Sequence, residues 1–193
     1  MRLVRSNLRR HMLVAGIIAG SVAVSAAPAA AQTGGATSPA PAPTAPAPST
    51  MPGVATIQAD GSALAPPDAP RQVRKAINAA NKIRYKPYLW GGGHRSFKAK
   101  GYDCSGAVSF VLHAAGLLKR PLASGPLARS WGSPGVGQWI TVYANRGHVY
   151  VVIAGLRWDT SAVGEPLNAG SGPRWRSTAR TTTGYTAKYY PSL

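Results

Sequence analysis

Two stretches of this chain repeat apolar residues every three or four positions, the spacing of one helix face. The first stretch follows Asp68, a candidate helix cap, and Pro70, which suits a first turn. Its apolar positions are Val73, Ala76, Ile77, Ala80 and Ile83. The second stretch follows Asp103, and its apolar positions are Ala107, Val108, Val111, Leu112 and Ala115. The pattern therefore predicts two amphipathic helices.

Three segments rich in strand-forming residues follow a Pro/Gly/Ser-rich connection over residues 121–137. The segments span residues 139–143, 148–153 and 156–160, and residues 184–190 are predicted as an additional edge strand. The second segment is continuously apolar, as a central strand would be. Helices followed by an antiparallel meander predict an α+β fold.

The first 31 residues are typical of an export signal. Four arginines precede an apolar run over residues 12–24, and the small residues 29–31 suit a signal peptidase. The Arg9–Arg10 pair leaves twin-arginine export open beside the general route, and an uncleaved N-terminal anchor is the alternative to cleavage. We expect a signal peptide over residues 1–31, a mature chain that begins near Gln32, and a location outside the cell or in its envelope.

Residues 32–67 consist largely of Ala, Pro, Thr, Ser and Gly, and Ala-Pro alternation favours extended polyproline geometry. This composition predicts a Pro/Ala-rich disordered linker. Residues 68–193 then form one domain, since their number is close to the usual size of a single folded unit.

The net charge of +17 indicates a polyanionic partner. Residues 1–31 contain four arginines and no acidic residue, so the mature chain would carry +13. The basic residues are scattered and form no nucleic-acid-binding motif, which disfavours nucleic acid. Anionic cell-wall polymers are the partners that an exported protein would meet. No cofactor, metal or membrane span after processing is expected, and a monomer is expected.

Cys104 is the only cysteine in the chain, so it cannot form an internal disulfide. Asp103 is predicted to cap the second helix, which places Cys104 in its first turn. The positive end of the helix dipole favours a reactive thiolate there. Cys104 is therefore a candidate nucleophile, and a buried structural cysteine is the alternative.

A cysteine nucleophile needs a base, and the histidines differ in where they lie. His11 would leave with the signal peptide, and His113 lies half a turn round the helix from Cys104. His94 lies in a glycine-rich loop. His148 begins a buried strand, a rigid position from which its ring can face the helix start, and is the preferred candidate.

Asp159 is the candidate for the residue that orients His148. A reversal at Ala154–Gly155 would bring it opposite or diagonal to His148 across two paired strands. The strand register decides whether both side chains share a face. A solvated aspartate at a strand end is the alternative.

Two motifs together resemble the signature of NlpC-type bacterial cell-wall cysteine endopeptidases: Pro-Tyr-Leu-Trp-Gly-Gly at residues 87–92 and Asp-Cys-Ser-Gly at residues 103–106. The resemblance implies a papain-like core with the cysteine helix packed on a small antiparallel sheet. It also implies cleavage of peptidoglycan stem peptides, typically between D-glutamate and a diamino acid. It makes Tyr88 a residue that shapes the substrate site. Further candidates for substrate binding are Trp90, Ser105 and Gly147.

The chain departs from the family at the third catalytic position, where histidine is usual and Asp159 stands here. It also lacks the Pro-Gly-Asp that commonly precedes the first strand, and residues 94–100 form a basic loop before the cysteine motif. The last two departures concern bond preference and substrate more than the fold. The alternative function is a non-catalytic module on the same scaffold that holds the cell wall through its aromatic residues and positive charge.

Overall fold

The computed structural model describes residues 53–166 and 169–193. The predicted signal peptide and residues 32–52 of the predicted linker lie outside the described residues. Three helices lie in the described part: α1 (Arg71–Ile83), α2 (Cys104–Ala114) and α3 (Ser124–Arg129). Its strands are β1 (Thr56–Ile57), β2 (Ala63–Leu64), β3 (Ser133–Pro134), β4 (Ile140–Ala144), β5 (Val149–Ile153), β6 (Leu156–Asp159), β7 (Arg174–Arg176) and β8 (Thr186–Tyr189). The α+β class predicted from the sequence is confirmed.

One antiparallel sheet holds six of these strands in the order β3-β8-β4-β5-β6-β7. Helices α1 and α2 pack on each other and on β5. Alternate strand residues point toward the helices, so Val149, Val151 and Ile153 of β5 are fully buried in the same core as Leu112 of α2. Helix α2 therefore lies across the centre of the sheet.

The connection between β5 and β6 is a two-residue turn. Ala154 and Gly155 both have positive φ, 47° and 76°, as a tight hairpin turn of this kind requires. The turn sets a register in which Val151 pairs with Trp158. The next pair in that register would place Asp159 opposite Tyr150. Asp159 is then diagonal to His148, the residue that precedes β5.

The predicted linker ends earlier than residue 67. Strands β1 and β2 form a small hairpin, and Ala55 and Ala63 in it are buried in the domain core. The Ala55 amide donates to the carbonyl of Ala154, and Asn81 of α1 bonds both backbone groups of Ala63. Small residues such as alanine suffice for this close packing, so the hairpin has the same composition as a linker.

Other local predictions also need correction. Asp68 does not cap α1, because Pro70 occupies the N-cap position, and the Asp68 carboxylate accepts from the Gly53 amide at 2.9 Å. The predicted edge strand, β8, lies between β4 and the two-residue β3. Strand β7 and helix α3 were not predicted. No helix among the described residues is long and apolar enough to span a membrane.

Candidate active site

Cys104 is the first residue of α2, and Asp103 caps that helix as predicted. The Asp103 carboxylate accepts from the Gly106 amide at 2.7 Å and from the Gly91 amide at 3.1 Å. Cys104 is a free, half-buried cysteine. Its thiol therefore lies at the positive end of the helix dipole and remains accessible.

Glycines allow the first motif to approach the start of α2. A Cβ on Gly106 would overlap the carbonyl oxygen of Gly92, so only glycine permits this contact. The Leu89 amide also donates to the Tyr102 carbonyl at 3.2 Å, next to Asp103 in sequence. These contacts hold residues 87–92 beside the cysteine.

A cleft of about 330 Å³ opens at this point. Its lining includes Cys104 and His148 together with all four predicted substrate-binding residues, which are Tyr88, Trp90, Ser105 and Gly147. The Trp90 side chain is 87% exposed, which leaves its ring free for contact with a ligand. Burial and the nearby charges of Cys104 and Asp103 raise the pKa of Tyr88, so its hydroxyl keeps its proton.

His148 lies between the cysteine and the buried Asp159. Its Nε2 is 2.8 Å from Asp159 Oδ1, which leaves Nδ1 for Cys104. The diagonal placement across β5 and β6 brings the two side chains to the same face. Asp159 does not line the cleft: its side chain is fully buried behind the imidazole.

Burial lowers the pKa of His148, but its hydrogen bonds to Asp159 and Cys104 outweigh burial and raise the pKa to about 9. Burial by itself would raise the pKa of Asp159. Hydrogen bonds from His148 and from the Ser161 amide, with the Arg180 charge, lower it below the usual range. The arrangement therefore favours an imidazolium held between a carboxylate and the cysteine sulfur.

Arg180 is the site residue that sequence reasoning missed. Its guanidinium lies 3.0 Å from Asp159 Oδ2 and donates to the Tyr185 hydroxyl at 2.9 Å. Asp159 is thereby fixed from the side opposite His148. Arg180 lies in a Thr-rich stretch without periodicity, which gave no signal of this contact.

Arg157 is a second basic residue near Asp159, with its Nε 3.9 Å from Asp159 Oδ2. This contact was predictable from the sequence, because Arg157 lies two residues before Asp159 and so on the same face of the strand.

The other histidines are held elsewhere. His94 Nε2 contacts both carboxylate oxygens of Asp103, at 3.0 and 2.9 Å, and lies 3.1 Å from Ser105 Oγ. Its ring is thus well held at the cleft wall, although it lies in a loop. His113 stacks on Phe97 with ring centroids 3.8 Å apart and does not line the cleft. Among the described residues, no group of three or more His, Cys, Asp and Glu side chains is placed to hold a metal ion.

The raised pKa of His148 predicts a pH-dependent stability. The pKa of His148 is about 9 in the folded protein, against the usual 6.5. Protonation of His148 therefore stabilises the fold, fully below pH 6.5, and this stabilisation is lost as the pH rises through 9. The difference between these two pKa values corresponds to about 3 kcal/mol in the free energy of unfolding. In denaturant unfolding, the free energy of unfolding of wild type relative to His148→Gln should fall by about that amount between pH 6 and pH 10. A difference that stays constant with pH would show that the native fold does not favour the imidazolium.

No protein-family model and no curated protein matches the sequence. Several solved structures are similar to the chain. One is an NlpC/P60 family protein from Bacillus cereus ATCC 10987, with 20% identity and a TM-score of 0.45 over 61% of this chain and 40% of that one. The match therefore spans less than half of the Bacillus chain.

Two further similar structures are from Mycobacterium tuberculosis. The peptidoglycan hydrolase RipB has 20% identity and a TM-score of 0.46 over 63% of this chain and 68% of that one. RipD, a non-catalytic NlpC/p60 domain protein adapted to peptidoglycan binding, has 20% identity and a TM-score of 0.44 over 63% of this chain and 98% of that one.

Proposed function

We propose that this chain is an exported cysteine peptidase that hydrolyses amide bonds in the stem peptides of peptidoglycan. Cys104 is the nucleophile, His148 the base and Asp159 the residue that orients the base. One observation carries the proposal: a single cleft holds a cysteine at a helix start and a histidine whose far nitrogen is 2.8 Å from a buried carboxylate. A protein that only binds its ligand does not need this set.

In the active form the proton of Cys104 lies on His148 Nδ1, as a thiolate–imidazolium pair, and the thiolate attacks the amide carbonyl carbon. The carbonyl oxygen gains the negative charge. His148 then gives its proton to the leaving amine, the C–N bond breaks, and a thioester remains on Cys104. Water, deprotonated by His148, attacks the thioester and releases the acid and the free thiol.

The start of α2 offers donors for the oxyanion. The Gly106 amide is bound by the Asp103 side chain, and the Ala107 amide by the Asp103 carbonyl. In the described part of the chain, the amides of Cys104 and Ser105 have no hydrogen-bond partner. They are thus free to stabilise a tetrahedral oxyanion that forms next to the thiolate.

The cleft suits a peptide that carries carboxylates. The exposed Trp90 ring and the Tyr88 hydroxyl offer a stacking surface and a hydrogen-bond donor. Arg146, exposed beside Gly147, adds a positive charge at the rim. We infer from the motif resemblance that the bond cut is the one between D-glutamate, which carries a carboxylate, and a diamino acid.

We also propose that the protein acts in the cell envelope. The arginine-led apolar segment at the N-terminus supports export, and a mature charge of +13 supports association with anionic polymers of the cell envelope. The same charge favours the second candidate function, a cationic wall-binding module without catalysis. The two candidates differ in whether Cys104 is reactive.

Reactivity of the thiol tests this difference. We expect Cys104 in the full chain to be alkylated by iodoacetamide below pH 7 faster than free cysteine, whose pKa is about 8.5. The His148→Ala substitution should slow the reaction, because it removes the imidazolium partner of the thiolate. His113→Ala is the matched control, since His113 lies outside the cleft. If the thiol reacts only in denaturant, Cys104 is a structural residue.

A further inference from the structure

A second cleft, of about 300 Å³, lies on the face of the sheet that points away from α1 and α2. Tyr150 and Val152 of β5 reach it, while the alternate residues of that strand are buried under the helices. The loop that follows β7 forms its opposite wall. None of its lining residues lines the cleft of Cys104, so it is a separate feature of the surface.

Positive charge exceeds negative charge around this second cleft. Three of its lining residues are arginines: Arg157, Arg176 and Arg180. Two carboxylates face them, since Glu165 lies 3.3 Å from Arg157 and Asp159 lies 3.0 Å from Arg180. Asp159 is shared with His148, which is itself a cation when protonated.

Arg176 makes no direct ion pair among the described residues, although the charges of Asp159 and Glu165 act on it. Its guanidinium donates to three backbone carbonyls, those of Asp159, Ala169 and Gly170. The residue is only 3% exposed, and burial lowers its pKa. Two carboxylates thus serve three arginines around this cleft, so a further anion from solution would be favoured nearby.

Hydrogen-bond donors are also left over beside this cleft. Within residues 53–166 and 169–193, Arg157 Nη1 and the Tyr150 hydroxyl are buried without a hydrogen-bond partner. Arg157 Nε also makes no hydrogen bond, since its nearest carboxylate oxygen, Asp159 Oδ2, lies 3.9 Å away. Arg157 is 3% exposed, and both it and Tyr150 line the cleft. Burial raises the pKa of Tyr150 to about 12, so its hydroxyl keeps a proton to donate. Buried donors of this kind are rare in native proteins and need an explanation.

We propose that the second cleft binds a phosphate group, either as free inorganic phosphate or as part of a phosphate-bearing polymer. Unused guanidinium and hydroxyl donors match a ligand with several acceptor oxygens around one centre. A phosphate group has four such oxygens, with up to two negative charges as the free ion and one in a phosphodiester polymer, whereas a carboxylate has two oxygens. This site does not depend on the peptidase proposal, because Cys104 takes no part in it.

The test measures binding to the full chain that carries Cys104→Ala, so that no cleavage interferes. Titration calorimetry with inorganic phosphate and, separately, with poly(glycerol phosphate) should give saturable binding of at least one ligand. Binding of free phosphate assigns the site to the ion, and binding of the polymer alone assigns it to a wall polymer. Saturable binding of neither ligand overturns the proposal.

Substitutions at the rim locate the site. Ser177 lines the cleft, is exposed and has no hydrogen bond in the described structure, so its replacement should not disturb folding. Ser177→Glu should weaken binding at least about tenfold through like-charge repulsion, whereas its neutral counterpart Ser177→Gln should bind like wild type. Arg157→Gln should also weaken binding. Arg120→Gln removes the same charge at an exposed position outside the cleft and should change little. Equal binding by Ser177→Glu and Ser177→Gln, or an equal loss in Arg120→Gln, overturns the proposal.

Discussion

Replacing Cys104 with alanine is expected to lower the rate of stem-peptide cleavage by at least about 10⁴-fold, because the attacking atom is lost. The fold should persist, since Cys104 is only half-buried at the first position of α2 and alanine favours helices. The measurement is the initial rate at which a soluble stem peptide yields free amino groups. Circular dichroism of both proteins provides the control for folding.

The conservative substitution Cys104→Ser provides a second variant for this experiment. Cys104→Ser keeps a side chain of similar size and leaves an oxygen that His148 could still deprotonate, so a small residual rate above that of alanine is consistent with the mechanism. A wild-type rate in Cys104→Ala would remove the cysteine mechanism altogether. No cleavage by either protein would make the cationic binding module the better account.

Replacing His148 with alanine is expected to slow cleavage by about 10²–10⁴-fold, the usual contribution of a general base. Asp159 would not be left as an unpaired buried charge, because Arg180 still lies 3.0 Å from its Oδ2. The fold should therefore survive the substitution. The measurement is kcat on the same soluble peptide, with unfolding curves to confirm that both proteins are native.

Two other histidines serve as controls for that substitution. His113→Ala should cleave at the wild-type rate, because His113 stacks on Phe97 outside the cleft. His94 lines the cleft and is bound to Asp103, which makes it the alternative base. A full loss in His94→Ala with none in His148→Ala would transfer the role of base to His94.

Local sequence signals were enough to predict the parts of the site that depend on one or two elements. Asp103 precedes an apolar helical period, and the structure has it at the N-cap of α2. The Ala154–Gly155 reversal predicted a hairpin, and its two-residue turn leads to the diagonal contact of His148 with Asp159. Only the register was open, since a shift of one residue would have moved one side chain to the other face.

Contacts that join distant segments could not be predicted. Arg180 reaches Asp159 across 21 positions from a stretch without periodicity. The hairpin of β1 and β2 packs through small residues such as Ala55 and Ala63, whose composition matches that of the linker before them. Strand β8 enters the sheet beside β4, a position that depends on how the end of the chain closes the fold. Each of these features is decided by tertiary packing and not by local pattern.

The most direct test of the central claim is the digestion of purified peptidoglycan by the full chain, with the released fragments identified by mass spectrometry. The proposed function predicts fragments with new amino termini within the stem peptide, at the diamino acid that follows D-glutamate, and none from Cys104→Ala. Identical fragments from both proteins, or none from either, would contradict it.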